Sequence, residues 1–317
     1  MSFKIVGIGE VLWDLLPSGS QLGGAPANFA YHAHALGADV RVVTRVGEDD
    51  FGQAILRRFH ALDILDGTVQ VDVHVPTGTV TVTLGEHGIP SYFIHENVAW
   101  DRLEVTPAAL NAVREADAIC FGTLAQRGVL SRNSIQRLVA ASPVESLRVF
   151  DINLRQKYFS TDVVEMSLRL ANVLKLNDDE LPVLAQMFHL PGSPRQQIEL
   201  LAKKFGLRLI ALTRGPAGSL LFRAGKWSDC PSVPIQIVDT VGAGDAFTAT
   251  LVMGLLQNLA LDEINCLADE VARYVCSCAG ATPPLPERFS RRFSGDHNAV
   301  HQRPSALASK TPEFSKS

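Results

Sequence analysis

The sequence predicts an α/β protein built on a parallel sheet, with a smaller sheet set into it. Three observations carry that reading. Apolar strand-like runs alternate with helix-periodic runs along most of the chain. Between about positions 69 and 100 the texture changes to short alternating segments separated by turns. Several predicted strands end in polar residues, and open parallel sheets bind ligands at the carboxyl ends of their strands.

The elements follow in order. FKIVGIG (3–9) reads as a buried strand ending in glycine. In LGGAPANFAYHAHALG (22–37), Ala27 to Leu36 has helical spacing and Gly37 suits the position beyond its end. VRVVTRVG (40–47) is a strand and DDFGQAILRRFHAL (49–62) a helix. VQVDVHV (69–75), TVTVTLG (79–85) and PSYFIH (90–95) alternate with period two, as strands with one wet face do. They are read together as a small antiparallel sheet leaning over the main domain, joined by the loop after the first strand.

The α/β rhythm resumes at Pro107. TPAALNAV and SRNSIQRLVAA are helices around the strand ADAICFG (116–122). SLRVFDIN (146–153), NVLKLN (172–177) and LRLIALTRG (207–215) are strands. DVVEMSLRLA, DDELPVLAQMF and PRQQIELLAKKFG supply the helices between and after them. GSLLFRAGKWSDC (218–230) reads as a hairpin, and helices follow near 244–257 and 261–279. From Glu287 to Ser317 the chain is polar and irregular, which predicts a disordered tail.

Composition narrows the functions. With 317 residues, 46% of them hydrophobic, one large domain with a small appendage is the natural division. The 29 Lys and Arg against 33 Asp and Glu give a net charge of −4 with no basic stripe, which argues against nucleic acid. No apolar run reaches the length of a membrane span, and the N-terminus lacks the pattern of a signal peptide. Five cysteines, an odd count, suit a reduced, cytoplasmic protein. Cys266, Cys276 and Cys278 match no common zinc spacing and are read as small buried thiols.

The stretch DTVGAGDAF (239–247) carries the chemical question. Asp245 behind a glycine turn is either a capping residue or an acid placed beside an anion site. Other nucleotide and hydrolase signatures are missing: the chain has no GxxxxGK[ST], no GxSxG and no HExxH, and GIGEVL lacks the third glycine of a dinucleotide fingerprint. Phosphoryl transfer to an alcohol needs only a base, backbone donors for the moving phosphate, and usually Mg²⁺. Asp245 and the backbone of 241–244 meet that need, and Asp14, Gly24 and Asn28 suit a polyol. Asp14, Asn28, Asn153, Arg155, Asn177, Glu180, Arg214 and Asp245, all near strand ends, are expected to line one cleft.

Two motifs carry a resemblance. LGGAPANFA (22–30) and DTVGAGDAF (239–247) resemble the N-terminal and C-terminal signatures of the ribokinase family of carbohydrate kinases, with the bacterial fructokinases most similar. ENVAWD (96–101) and GTLAQR (122–127) resemble fructokinase-like members. The resemblance implies a three-layer α/β/α sandwich over residues 1–286, with lid strands inserted near 12–20 and 69–100 and the tail 287–317 outside it. It implies transfer from ATP, with Mg²⁺, to the 6-hydroxyl of fructose. Ribose, 2-keto-3-deoxygluconate and aminoimidazole riboside are alternative acceptors. A silent sugar or nucleotide sensor is the alternative from another class.

The site residues follow by resemblance. Asp245 is the base, and Gly242, Ala243 and Gly244 form the anion hole. Asp14, Gly23, Gly24, Asn28, Gln126 and Arg155 bind sugar. Asn177 and Glu180 place Mg²⁺ and phosphates, largely through water. Thr213, Gly215 and Gly218 form the nucleotide loop, with Ala272 and Cys276 beside the adenine. Asp239 and Val241 are the places for a monovalent cation such as K⁺. A homodimer through the lid is also implied.

Plainer readings stand beside these. Arg155 suits a surface ion pair, and Asn177 with Glu180 suits a helix cap. Trp100 suits packing at the lid hinge, and His32, His34 and His95 suit structural roles. Lys175 is given no catalytic role.

Overall fold

The structure is a computed structural model that describes residues 2–17, 19–84 and 90–293. Strands β1 (Lys4–Ile8), β2 (Leu12–Leu16) and β3 (Gly19–Gly23) lead into α1 (Ala25–Ala35), β4 (Asp39–Gly47) and α2 (Asp50–Ala61). Next come β5 (Val69–Asp72), β6 (Gly78–Leu84), β7 (Pro90–Ile94) and α3 (Pro107–Arg114). β8 (Ala118–Phe121), α4 (Val129–Ala140), β9 (Leu147–Asp151), α5 (Thr161–Leu170) and β10 (Val173–Asn177) continue the alternation. α6 (Glu180–Met187), α7 (Pro194–Phe205), β11 (Leu209–Thr213), β12 (Ser219–Arg223) and β13 (Lys226–Cys230) precede the last helices. Those are α8 (Ala243–Leu256), α9 (Leu261–Cys276) and the short α10 (Glu287–Ser290).

Among the described residues the large sheet runs β13-β12-β11-β10-β9-β8-β1-β4-β5. It is parallel from β11 to β5, and the β12–β13 hairpin closes it antiparallel. The parallel strands are apolar on both faces because helices cover both. Val6 and Ile8 of β1 enter the core shared with α3 to α7. Ile5 enters the core shared with α1, α2, α8 and α9. That alternation along single strands produces three layers. From β1 the chain moves first to β4 and β5 and later returns to β8 on the other side, so the strand order reverses there. A reversal of this kind opens a crevice beyond the strand ends.

Helix ends are set locally. Ser193 and Gln196 cap α7 reciprocally, and Gly206 stops it at φ 68°. Asp49 caps α2 through the Gly52 N–H at 2.8 Å and also accepts from Thr77, which ties α2 to the chain entering β6. α8 differs from the others. Residues 246–255 of this helix are all buried, so it is apolar around its whole circumference and runs through the core.

A second sheet runs β3-β2-β6-β7 and overhangs the reversal point. Three expectations need correction here. β5 does not belong to this lid. It pairs parallel with β4, Thr44 opposite Val69, at the edge of the large sheet. An edge strand also has one open side, and Val71 at 45% exposure gives it the alternation of a lid strand. The lid is mixed rather than antiparallel, because β2 and β6 run parallel. Finally, the chain beyond Pro286 does not leave the domain at once. Phe289 and Phe293 are buried, and Gln257 donates to the Phe293 carbonyl at 2.8 Å. The remainder of the expected tail, and the turn between β6 and β7, lie outside the described residues.

The lid joint is built on Arg127. Its guanidinium makes two hydrogen bonds to Asp101, at 2.8 and 2.9 Å, and one to the His95 carbonyl at the end of β7. It stacks 4.0 Å from the Trp100 ring centre and 4.8 Å from that of Tyr158. Trp100, 1% exposed, is therefore a hinge packing residue. No helix among the described residues is long and apolar enough to cross a membrane.

Candidate active site

The glycine turn before α8 bears on the capping reading of Asp245. Gly242 has φ 79°, and a β-carbon there would lie 2.2 Å from the Ala281 carbonyl oxygen. Only glycine fits that turn. No side chain caps α8, so first-turn N–H groups remain available to an anion at the positive end of a buried helix. Asp245 does not serve as the cap. Its Oδ2 accepts from Asn28 Nδ2 at 2.9 Å, across 217 residues of sequence. Asn28 projects from the buried face of α1, whose N-terminal boundary is Gly24 at φ 111°. The two signature stretches thus meet side chain to side chain.

They meet in a cleft of about 520 Å³ between the strand ends and the lid. Asp14, Gly23, Gly24, Asn28, Arg155, Asn177, Glu180, Thr213, Val241, Gly242, Gly244 and Asp245 all line it, as does Asn153. A more open hollow of about 650 Å³ lies behind the lid joint, around Arg127 and Tyr158, and contains no residue of either signature stretch.

Burial, with help from the neighbouring Asp151 carboxylate, pushes the Asp245 carboxyl up to about 7. Asn28, Lys175 and Arg155 pull the other way. A base near neutrality is what abstraction of a hydroxyl proton requires. Asp14 is pushed up to about 6 by burial, against the pull of Arg155. Arg155 forms no ion pair among the described residues, so its charge stays available to the cleft.

Two groups in the cleft were not anticipated as site residues. Lys175 is buried, with Nζ 3.1 Å from Asp151 Oδ1 and 2.9 Å from where a β-carbon on Gly244 would stand. Burial works against its charge, but Asp151, Glu180 and Asp245 outweigh it and hold the ammonium above its usual range. Asp151 is fixed from its other side by Thr248 at 2.8 Å. The alternation of NVLKLN gave a sign of this, because a lysine within a strand buried on both faces needs a partner. Glu10 follows β1, is 2% exposed, and burial pushes it to about 7.

At the β10 end of the cleft, Asn177 Oδ1 accepts from the N–H groups of Asp179 and Glu180 at the start of α6. Glu180 accepts from Asn177 and Leu154, both at 2.8 Å. The capping arrangement therefore exists. Each Glu180 oxygen already holds one N–H, which fits contact with Mg²⁺ through water rather than directly. Asp239 is also tied to backbone, to Val241 at 3.0 Å and to Gly280 at 3.1 Å, so it joins the turn to the loop at 279–284.

Other expected residues stand elsewhere. Gln126 is not in the cleft. It is fully buried, donates to the Gly122 carbonyl and to Ser167, and accepts from Gln136. The short 3₁₀ turn Leu124–Gln126 turns it into the layer of α4 and α5. Arg214 is taken up by Asp229 on the hairpin at 2.7 Å. Gly215, Gly218, Ala272 and Cys276 are absent from the cleft lining, although the Cys276 carbonyl accepts from Val238 and Asp239 just before the glycine turn. His32 is structural: it bonds the Ala281 carbonyl at 2.9 Å, and burial lowers it to about 4.

Comparison with known proteins agrees with this geometry. Residues 19–288 match the model of the pfkB family carbohydrate kinases. A fructokinase of Klebsiella pneumoniae is 30% identical over 284 residues, 86% of this chain and 91% of the relative. A crystal structure of a sugar kinase from Pyrococcus horikoshii in complex with ATP superposes with TM-score 0.77 at 27% identity, over 91% of this chain and 99% of the other. An aminoimidazole riboside kinase of Salmonella enterica shares the fold, with TM-score 0.75 at 21% identity, over 92% and 99% of the two chains.

Proposed function

Because the chain belongs to the pfkB family of carbohydrate kinases, with the ribokinase-like fold and ATP-dependent phosphotransfer that this implies, we propose that it phosphorylates fructose at the 6-hydroxyl. The observation that carries the reading is the Asn28–Asp245 hydrogen bond at the mouth of α8. It supports the reading by joining the Asn28 amide to a carboxylate held near neutrality beside the first turn of α8.

In the mechanism we propose, Asp14, Asn28 and the Gly23–Gly24 backbone hold sugar hydroxyls under the lid, with Arg155 closing the open side. Asp245 takes the proton of the primary hydroxyl as that oxygen attacks the γ-phosphorus. The new O–P bond forms, the bond to the bridging oxygen breaks, and ADP leaves. The N–H groups of 242–244 and the Lys175 ammonium take up charge building on the phosphoryl oxygens. Asn177, Glu180 and Thr213 face the nucleotide phosphates. Mg²⁺, held near Glu180 through water, would neutralise charge on those phosphates. The lid keeps water from replacing the sugar as acceptor.

Fructose is favoured by the fructokinase relatives and by ENVAWD and GTLAQR. The fold does not choose the acceptor, since an aminoimidazole riboside kinase shares it. A sugar acid such as 2-keto-3-deoxygluconate is the second reading, favoured by the unpaired charge of Arg155. The deciding experiment supplies ATP and Mg²⁺ with fructose, ribose, 2-keto-3-deoxygluconate, aminoimidazole riboside and glucose in turn. ADP release is followed and the product is identified by NMR. The reading fails if fructose is not the best substrate by kcat/KM, or if the product is not the 6-phosphate. A sensor would consume no ATP with any of them. Replacing K⁺ by choline in the same assay tests a cation beside Asp239 and Val241. We propose that a second copy of the chain docks on the lid, a reading supported by edge strand β7, which leaves Phe93 63% exposed. Sedimentation tests it.

A further inference from the structure

Away from the cleft, two thiols face each other across a joint of the fold. Cys230 ends β13 and Cys266 lies in the second turn of α9, 36 residues later, and their sulfurs are 3.0 Å apart. Cys230 is 7% exposed, whereas Cys266 is open to solvent. The remaining thiols offer no such arrangement: Cys120 is buried, and Cys276 and Cys278 are each half-buried near the far end of α9. The backbone around the pair is already fixed. Asn265, next to Cys266, bonds Ser219 on β12 and Ser228 on β13. Cys230 packs so tightly that a β-carbon on Gly218 would stand 2.0 Å from its carbonyl oxygen. A disulfide needs its sulfurs about 2.05 Å apart. The pair is therefore held about one ångström from bonding distance by a joint that does not depend on it.

We propose that Cys230 and Cys266 form a reversible disulfide when the protein meets a peroxide, and that the bridge clamps β13 to α9. This holds whichever sugar the cleft accepts. The exposed Cys266 reacts first: its thiolate attacks a peroxide oxygen, the O–O bond breaks, and a sulfenic acid and water form, or an alcohol from an organic peroxide. The Cys230 thiol then attacks the sulfenic sulfur, the S–S bond forms and water leaves. Cys230 suits only this second role, because burial and the neighbouring Cys266 push its thiol up to about 12. The clamp closes at the head of the irregular segment 231–240 that leads into the glycine turn.

The test treats the full chain with hydrogen peroxide, alkylates the remaining thiols, and maps peptides by mass spectrometry. The expected result is one crosslink joining Cys230 to Cys266, the loss of two alkylatable thiols per chain, and full reversal by dithiothreitol. In the chain-entropy picture, closing a loop of this length raises the thermal midpoint by about 5 °C. Cys266→Ser keeps untreated activity, forms no crosslink and shows no shift. The proposal is overturned if both thiols stay open to alkylation, if Cys266 bridges between chains instead, or if the crosslinked protein melts no higher than the reduced form.

Discussion

Replacing Asn28 by alanine moves the acid limb of the pH–activity profile upward. Among the described residues Asn28 is the hydrogen-bond donor to the Asp245 carboxylate, at 2.9 Å, and it holds that carboxyl down against burial. A hydrogen bond to a charged group contributes about 1.5–3 kcal/mol, and each pKa unit corresponds to about 1.4 kcal/mol. Loss of the bond alone is thus worth about one to two units, and relaxation of the emptied space reduces this to about one. Asp245, at about 7 in the parent, moves to about 8. The base acts as the carboxylate, so activity falls as pH drops through this value. At pH 7 about half the parent molecules carry the charged base against about a tenth of the variant, a fivefold loss from titration alone. At pH 9 the titration loss disappears. The assay is kcat/KM from coupled ADP release across about pH 5.5 to 9.5. A uniform loss with an unmoved acid limb refutes the reasoning, because Asn28 would then act on sugar or folding without acting on Asp245.

The remaining predictions concern stability. Asp245→Asn stabilises the fold at pH 8: the carboxyl ionises near 3.9 in the unfolded chain and at about 7 in the folded one, so the parent loses stability as pH rises between those values. The gain is at most about 4 kcal/mol by urea unfolding and vanishes below about pH 4. Gly242→Ala costs about 1–3 kcal/mol or more in urea and abolishes turnover, since its β-carbon would meet the Ala281 carbonyl at 2.2 Å. An unchanged unfolding midpoint contradicts that geometry. Gln126→Ala costs about 1–3 kcal/mol, because the Gly122 carbonyl and Ser167 lose a buried partner, and leaves sugar KM unchanged. A large rise in sugar KM would return Gln126 to the cleft.

Local patterns reported the fold well where local physics decides. The doubly buried strands read as apolar runs, and Gly206 marked the end of its helix through a stop that needs no tertiary contact. β5 was misassigned because edge strands and lid strands share one alternation, and only pairing distinguishes them. The glycine turn and Asp245 were legible as a pair of possibilities. Setting the capping reading aside needed Asn28, which is distant in sequence. Lys175 is assigned no catalytic role from the sequence because its ammonium gains its place from Asp151, Glu180 and Asp245, contributed by three other segments. Gln126 failed for the opposite reason: a similar motif fixed its position in the chain, but the turn around Leu124 fixed the direction of its side chain.

The most direct measurement is turnover and sugar affinity of Asp245→Asn, determined on the same preparation at pH 8. If the Asp245 carboxylate is the base that activates the acceptor, kcat falls by about 10² to 10⁴, while the calorimetric Kd for the sugar stays within about threefold. Turnover within about tenfold of the parent, with the sugar still bound, contradicts the account.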